Sequence, residues 1–169
     1  MGRRRMPSTA TRAASAHRRS LEIADPAYTL TDRSLSFLVR QAHRAFVARL
    51  ADRLAPHKIS VAEWAVLRML WQEEGLTQVA LADRMRVRKA SLTSVLSTLE
   101  RNGFLRRTQR GEDLRKYHLF LTKYGRELEA ALLPIGADIN RGALAGIDPE
   151  DAGLAVRLLE KVIANLEAQ

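Results

Sequence analysis

The chain of 169 residues contains no cysteine. This absence excludes a disulfide scaffold, a zinc site built on thiolates and a thiol redox switch. Its histidines are scattered singly along the chain, at His17, His43, His57 and His118. Because none of them has the local spacing of a metal-binding group, we interpret them as surface or packing residues and expect no metal site.

Signatures of catalysis are missing as well. The sequence contains no nucleophile elbow, no phosphate-binding glycine loop and no cluster of carboxylates or histidines. Those patterns are what position a nucleophile, a nucleotide or an acid–base pair. We therefore expect neither an enzyme nor a bound cofactor.

Long apolar segments are also absent. No run approaches the roughly 18 residues that a membrane span needs, and no apolar stretch follows the arginines after Met1 as it would in an export signal. We therefore expect a cytoplasmic protein without membrane contact. Hydrophobic residues make up 46% of the chain, which is enough for a folded core and argues against wholesale disorder.

Positive charge is abundant and concentrated in two segments. The net charge is +9, in the direction expected of a protein that binds nucleic acid. Residues 1–20 contain six arginines and no acidic residue, while residues 84–116 contain ten basic and three acidic residues. The remainder carries more acidic than basic side chains. A uniformly solvated surface would not segregate charge in this way, so the two segments predict contact with a polyanion.

Apolar spacing predicts long helices at both ends of the folded part. Residues 1–29 show weak periodicity and are interpreted as a flexible basic tail, either a solvated leader or a source of extra phosphate contacts. Residues 30–58 and 122–169 repeat apolar side chains every three or four positions, which is typical of helices. Pro134 falls inside this pattern and predicts a kink or a split in its helix.

The middle of the chain, residues 59–121, has the pattern of a winged helix-turn-helix. A capping box at Ser60–Glu63 starts one helix. Two short helices follow, and the tight turn at residues 86–88 that joins them is typical of a helix-turn-helix. Alternating segments around a polar loop then predict a β-hairpin, the wing, with two or three strands in the sheet. The fold class predicted is therefore mainly α with a small β wing.

The second short helix of this motif has the properties of a DNA-reading helix. One stripe is apolar and must pack inward, whereas the other faces carry small hydroxyl side chains that allow close approach to the major groove. Cations cluster at its N-terminal end, where the helix dipole favours phosphate. An ordinary serine-rich solvent face is the alternative interpretation. The candidate DNA contacts here are Arg86, Arg88, Lys89, Ser91, Thr93, Ser94 and Ser97.

The predicted wing loop supplies further cations. Arg110, Arg115 and Lys116 surround its tip, and an arginine on a narrow hairpin suits the electronegative minor groove. Asp113 lies two residues before Arg115, where its carboxylate is positioned to orient that arginine rather than to touch DNA. A solvated charged hairpin is the alternative.

Several short motifs in this order resemble the MarR family of bacterial regulators. They include Leu81-Ala82, the stretch Leu99–Arg107, the Asp-x-Arg of Asp113 and Arg115, and Leu121-Thr122 followed by Gly125. The ungapped resemblance spans Ile59–Thr122, and the flanking helices also agree in number. It implies a homodimer in which the helices of 30–58 and 122–169 form the dimerisation region and two recognition helices read a pseudo-palindromic site in double-stranded DNA.

The resemblance also implies a small-molecule effector that releases the protein from DNA. Cations on one helical face with aromatic and apolar walls nearby suit an aromatic carboxylate or an aromatic acyl-CoA thioester. The alternative is that the arginines are surface residues and the tryptophans belong to the core. The candidate effector contacts are Arg40, His43, Arg44, Trp64, Met69 and Trp71.

The function predicted is a sequence-specific, dimeric transcriptional regulator, with repression as the sign implied by the family. A basic nucleoid-type protein that coats DNA with little sequence preference is the alternative, and the arginine-rich tail favours it. The ordered helix-turn-helix and wing argue against it, because counterion release requires no such scaffold.

Overall fold

The structure is a computed structural model, and it describes residues 34–109 and 116–168. It divides into two compact units at Ala45 and Phe46. Within the described part the elements are six α-helices, three short strands and one 3-10 turn (Ala55–His57) that follows α1. The helices and strands come in the order α1 (Leu35–Leu54), α2 (Val61–Gln72), β1 (Leu76–Thr77), α3 (Gln78–Met85), α4 (Lys89–Arg101), β2 (Leu105–Gln109), β3 (Tyr117–Leu121), α5 (Lys123–Ala143) and α6 (Pro149–Glu167). The predicted fold class, mainly helical with a small winged sheet, is confirmed.

Local hydrogen bonds explain where the helices begin. The Ser60 hydroxyl accepts the Glu63 N–H at 3.2 Å, and the Glu63 carboxylate accepts the Ser60 N–H at 2.8 Å. This reciprocal pair is the predicted capping box, and it satisfies donors that the first turn of α2 cannot satisfy itself. Helices α3, α5 and α6 have one-way caps, in which the side chains of Thr77, Thr122 and Asp148 each accept a backbone N–H of the first turn.

A single apolar core holds the second unit together. Leucines from several elements are fully buried in it and contact one another across α2, α3, α4, α5 and the sheet. Each such side chain contributes on the order of 1.5–3 kcal/mol relative to exposure. The most enclosed members are Leu54, Leu67, Leu70, Leu81, Leu96, Leu99, Leu119, Leu121 and Leu132.

The three strands form an antiparallel sheet in the order β1-β3-β2. Leu76 and Arg107 both lie opposite Leu119, so the central strand joins the wing to the start of the helix-turn-helix. The two-residue strand β1 depends on this long-range pairing, and local periodicity alone would not identify it.

Glu74 fastens the sheet to α5. Its carboxylate accepts the Leu121 N–H at 3.0 Å and binds the Arg126 guanidinium through two contacts of 2.7 and 2.9 Å. The hydrogen bonds that Arg126 donates to Glu74 raise the pKa of the Arg126 guanidinium above its already high ordinary value, because they stabilise its charged form.

The course of helix α5 rules out one of the two alternatives predicted for Pro134. It runs from Lys123 to Ala143 with Pro134 inside it, so the proline does not split the helix. Leu132 and Ile135 are both buried in the core on either side of the proline. In addition, the Trp64 indole N–H donates to the Leu132 carbonyl at 3.1 Å. Packing on both sides therefore holds the helix together despite the lost backbone donor.

Candidate nucleic-acid interface

The turn between α3 and α4 is fixed by the backbone. Arg86 adopts a left-handed conformation with φ of 53°, and its N–H donates to the carbonyls at the end of α3. The next residue closes the turn, since the Val87 N–H donates to the Ala82 carbonyl at 3.0 Å. This tight turn is what sets α4 at an angle to α3 in a helix-turn-helix.

Helix α4 presents two chemically different faces. Leu92, Leu96 and Leu99 are buried in the core, and Val95 is half-buried against it. On the opposite side the small polar residues are all exposed, namely Ser91, Thr93, Ser94 and Ser97. The apolar anchor fixes the rotation of the helix about its axis, so the hydroxyl face is held outward in one orientation.

A side chain that the sequence patterns did not identify braces the two helices of the motif. Gln78 at the start of α3 donates through Nε2 to the Lys89 carbonyl and to the Thr93 hydroxyl, each at 3.1 Å. Its place as the first residue after the Thr77 cap is the only local signal of this role. The brace fixes the N-terminal turn of α4, where the candidate phosphate contacts lie.

The cations at this end of α4 are in different situations. Arg88 is the N-cap residue of α4 without a side-chain capping bond, and Lys89 is the first helical residue; both are exposed. Arg86, in contrast, forms an ion pair with Glu167 at the end of α6. Its guanidinium already has an anionic partner that a DNA phosphate would have to replace.

The base of the wing carries two arginines with defined partners. The Arg106 guanidinium lies 5.3 Å from the centre of the Phe120 ring and donates to the Thr108 hydroxyl at 2.7 Å. Arg107 contacts the Glu100 carboxylate of α4. Lys116 is exposed just before β3. The candidate residues Arg110, Asp113 and Arg115 lie outside the described residues.

A cavity of about 230 Å³ lies beside α4. It is lined from α4 by Ser94, Val95 and Thr98, and from the start of α2 by Ser60 and Glu63. The Glu63 side chain is buried there, with its carboxylate satisfied by the Ser60 N–H and hydroxyl. Ser94 therefore lies both on the exposed face of α4 and at the rim of this cavity.

Comparison with known proteins agrees with this geometry. A sequence model of the MarR family matches residues 59–117. The transcriptional regulator HosA of Escherichia coli O157:H7 is 30% identical over 125 residues, which cover 74% of this chain and 91% of HosA. The chain belongs to the MarR family. It is accordingly a DNA-binding transcriptional regulator.

Other relatives in the MarR family extend the comparison. The regulator TtmR of Methylorubrum extorquens is 35% identical over 60% of this chain, but the matched part spans only 52% of TtmR. The homoprotocatechuate degradative operon repressor of Escherichia coli is 30% identical over 56% of this chain and 64% of its own length.

Solved structures show the same fold. One crystallised transcriptional regulator is 33% identical, with a TM-score of 0.70 over 79% of this chain and 98% of that one. The Staphylococcus aureus regulator MepR, solved in complex with DNA, superimposes with a TM-score of 0.73 at 22% identity over 78% of this chain and 97% of MepR. Bordetella bronchiseptica BpsR, whose DNA binding is regulated by 6-hydroxynicotinic acid, superimposes with a TM-score of 0.69 at 24% identity. The match covers 76% of this chain and 93% of BpsR.

The candidate effector residues of this MarR-family protein fall into two groups. Arg40, His43 and Arg44 are exposed on α1 within the first unit, where the Arg40 guanidinium lies 5.7 Å from the centre of the Phe37 ring. In the second unit, Met69 is half-buried against the core. That the two groups meet an effector stays a prediction.

Both tryptophans of the second group have structural partners on α5. Trp64 is buried and its indole N–H donates to the Leu132 carbonyl, while the Trp71 indole N–H donates to the Gly125 carbonyl at 2.9 Å. The Arg68 guanidinium lies 5.3 Å from the centre of the Trp64 ring. Any contact of these indoles with a ligand would therefore be through ring atoms, because their donors are already used.

Within residues 34–109 and 116–168, no three histidine or acidic side chains come together as a metal site would require. Over the same residues, no helix combines the length and the apolar character needed to cross a bilayer.

Proposed function

We propose that this protein is a homodimeric repressor that reads a pseudo-palindromic operator and leaves it when a small aromatic acid or an aromatic acyl-CoA thioester binds. The observation that carries the proposal is helix α4, whose leucines are anchored in the core while its hydroxyl face is exposed between clusters of cations. Such a face suits contact with base edges in the major groove.

The proposed contacts are of two kinds. Contacts with phosphates position the protein on the duplex, and contacts with base edges read the DNA sequence. Arg88, Lys89 and Lys116 neutralise phosphates, and Arg86 joins them once Glu167 releases it. The side chains that reach base edges are Ser91, Thr93, Ser94 and Ser97. We propose that Arg110 and Arg115 of the wing enter the minor groove, with Asp113 orienting Arg115.

Dimerisation is supported by the surface of α6. None of its 19 residues is buried, although the helix is amphipathic. Its apolar face exposes large side chains, namely Leu154, Leu158, Leu159, Ile163 and Leu166. An apolar face of this extent marks an interaction site on a water-soluble protein, and a second copy of the chain covers it in the proposed dimer.

Names of relatives support the class of effector. One relative represses an operon for degradation of homoprotocatechuate, which is an aromatic acid, and the DNA binding of BpsR responds to another aromatic acid. Those compounds define a chemical class for this chain and do not identify its own ligand.

The test begins with selection of genomic DNA fragments on the purified protein. Fluorescence anisotropy at near-physiological salt then compares a selected fragment with random DNA of equal length. The proposal predicts a preference of about 10³-fold or more for the selected fragment. Equal affinity for all fragments would instead support the nucleoid-type alternative. A panel of aromatic acids and acyl-CoA thioesters is then screened for release from the selected fragment, and release by none of them would remove the effector class from the proposal.

A further inference from the structure

The side chain of Glu100 links the DNA-reading helix to the wing. One carboxylate oxygen, Oε1, accepts the backbone N–H of Arg107 at 3.3 Å, and the other, Oε2, lies 3.4 Å from Arg107 Nε. Glu100 is the penultimate residue of α4, and Arg107 is the central residue of β2. A single carboxylate therefore contacts both the main chain and the side chain of the wing.

The surroundings make this contact more than a loose surface pair. The Arg107 side chain is 29% exposed, and its Nη2 atom is buried without a hydrogen-bond partner among the residues that the structure describes. A guanidinium in that position depends on its carboxylate partner, because withdrawal from water is costly for a cation that lacks one. Only three residues, Asn102, Gly103 and Phe104, separate α4 from β2, and the Phe104 N–H donates to the Leu99 carbonyl of α4 at 2.9 Å, so the Glu100 contact adds a side-chain link to a short main-chain connection.

We infer that Glu100 is a positioning residue for DNA binding, which sets the angle between the wing and α4 so that both reach DNA together. The inference rests on the proposed contacts of α4 and the wing with DNA. Glu100 itself touches no DNA in this arrangement. Its negative charge, close to two DNA-binding elements, would otherwise only weaken binding to a polyanion.

Electrostatic repulsion and positioning therefore predict opposite effects of removing Glu100 on DNA affinity, and this difference provides the test. The variants Glu100→Ala and Glu127→Ala each remove one negative charge, and among residues 34–109 and 116–168 the partner of Glu127 is Lys123, in an exposed helical pair at 3.8 Å. If charge alone matters, both variants bind DNA slightly more tightly than the wild type. If Glu100 positions the wing, Glu100→Ala binds about tenfold more weakly, the size of a coupling between contacting groups, while Glu127→Ala does not.

Hydroxyl-radical footprinting separates positioning from a general loss of fold. The protections that disappear in Lys116→Ala define the contact of the β2–β3 hairpin. Glu100→Ala is expected to lose those protections and to keep the ones made by α4. Glu100→Gln retains an acceptor for the Arg107 N–H and is expected to restore part of the affinity and the hairpin protections.

Several results would overturn the inference. They are tighter binding by Glu100→Ala, as for Glu127→Ala, or a loss of protection that is uniform across the footprint and accompanied by a lowered Tm. Failure of the proposed function looks different: the wild type would then show no preference among sequences, while Glu100→Ala would still bind random DNA more weakly than Glu127→Ala.

Discussion

Single side chains decide which cations are available to DNA. Arg88 and Lys89 stand exposed at the start of α4, whereas Arg86, only two residues away from Arg88, is paired with Glu167 across 81 positions of sequence. Both members of this pair are more than half exposed, so the attraction is modest and solvent competes with it. The carboxylate therefore acts as a weak, replaceable substitute for a DNA phosphate.

Replacing this carboxylate should strengthen DNA binding. Glu167→Gln removes the competitor of phosphate for Arg86, and we expect an affinity increase of about two- to fivefold, as befits an exposed pair. The increase should vanish when Arg86 is also replaced by alanine. Anisotropy titrations of the two single variants and the double variant measure this. An equal gain with and without Arg86 would mean that only the change in net charge matters.

Helices and strands differ in how far the sequence predicts them. The capping box at Ser60 is a local signal, and its prediction is confirmed, because its partner Glu63 lies three residues away; the cap at Thr122 is equally local. The strand β1 and the Gln78 brace depend on partners distant in sequence, and their residue types alone give little indication of those contacts. Local sequence likewise leaves a kink or a split open at Pro134, because Leu132 and Ile135 hold α5 together through a core built from other elements.

The glycine at the start of α5 gives a test at the level of the element. A Cβ at Gly125 would lie 2.0 Å from the Phe104 carbonyl oxygen, which is backbone and has little freedom to move. We expect Gly125→Ala to destabilise the protein by about 1–3 kcal/mol through this overpacking. Thermal or urea unfolding followed by circular dichroism measures the change.

A matched control lies in the same helix. A Cβ at Gly142 meets no atom within 4 Å, so Gly142→Ala should be neutral or should stabilise α5 by up to about 1 kcal/mol, given the higher helix propensity of alanine. Equal effects of the two substitutions would show that close packing at Gly125 is not what requires the glycine.

The whole molecule combines a closed core with an uncovered apolar helix. The two faces of α4 could be predicted from the sequence because apolar and hydroxyl side chains alternate with helical spacing within a few turns. The effector residues could not be assigned from the sequence, because tryptophans that pack against α5 and tryptophans that line a ligand site have the same residue pattern. Covering α6 with a second copy would also bring two α4 helices to one DNA duplex.

Disrupting the proposed dimer should therefore weaken DNA binding strongly. Leu159→Glu places a charge on the apolar face of α6, and we expect monomers with unchanged helix content and at least about a hundredfold loss of operator affinity, because the two heads no longer bind together. Lys161→Gln changes the net charge by the same amount on the same helix and serves as control. Light scattering after gel filtration reports the mass, and a dimeric Leu159→Glu would show that α6 is not the interface.

Selection from randomised DNA, run in parallel on the wild type and Ser97→Ala, asks whether α4 reads sequence. Ser97 is exposed on α4, and Asn140→Ala on the exposed part of α5 serves as control. We predict that the wild type and the control enrich the same two-fold symmetric site, with a preference of about 10³-fold or more over random DNA. Ser97→Ala should retain most of the affinity but lose discrimination at one position in each half-site. An identical enriched site for Ser97→Ala, or no enriched site for the wild type, would contradict recognition of DNA by this face of α4.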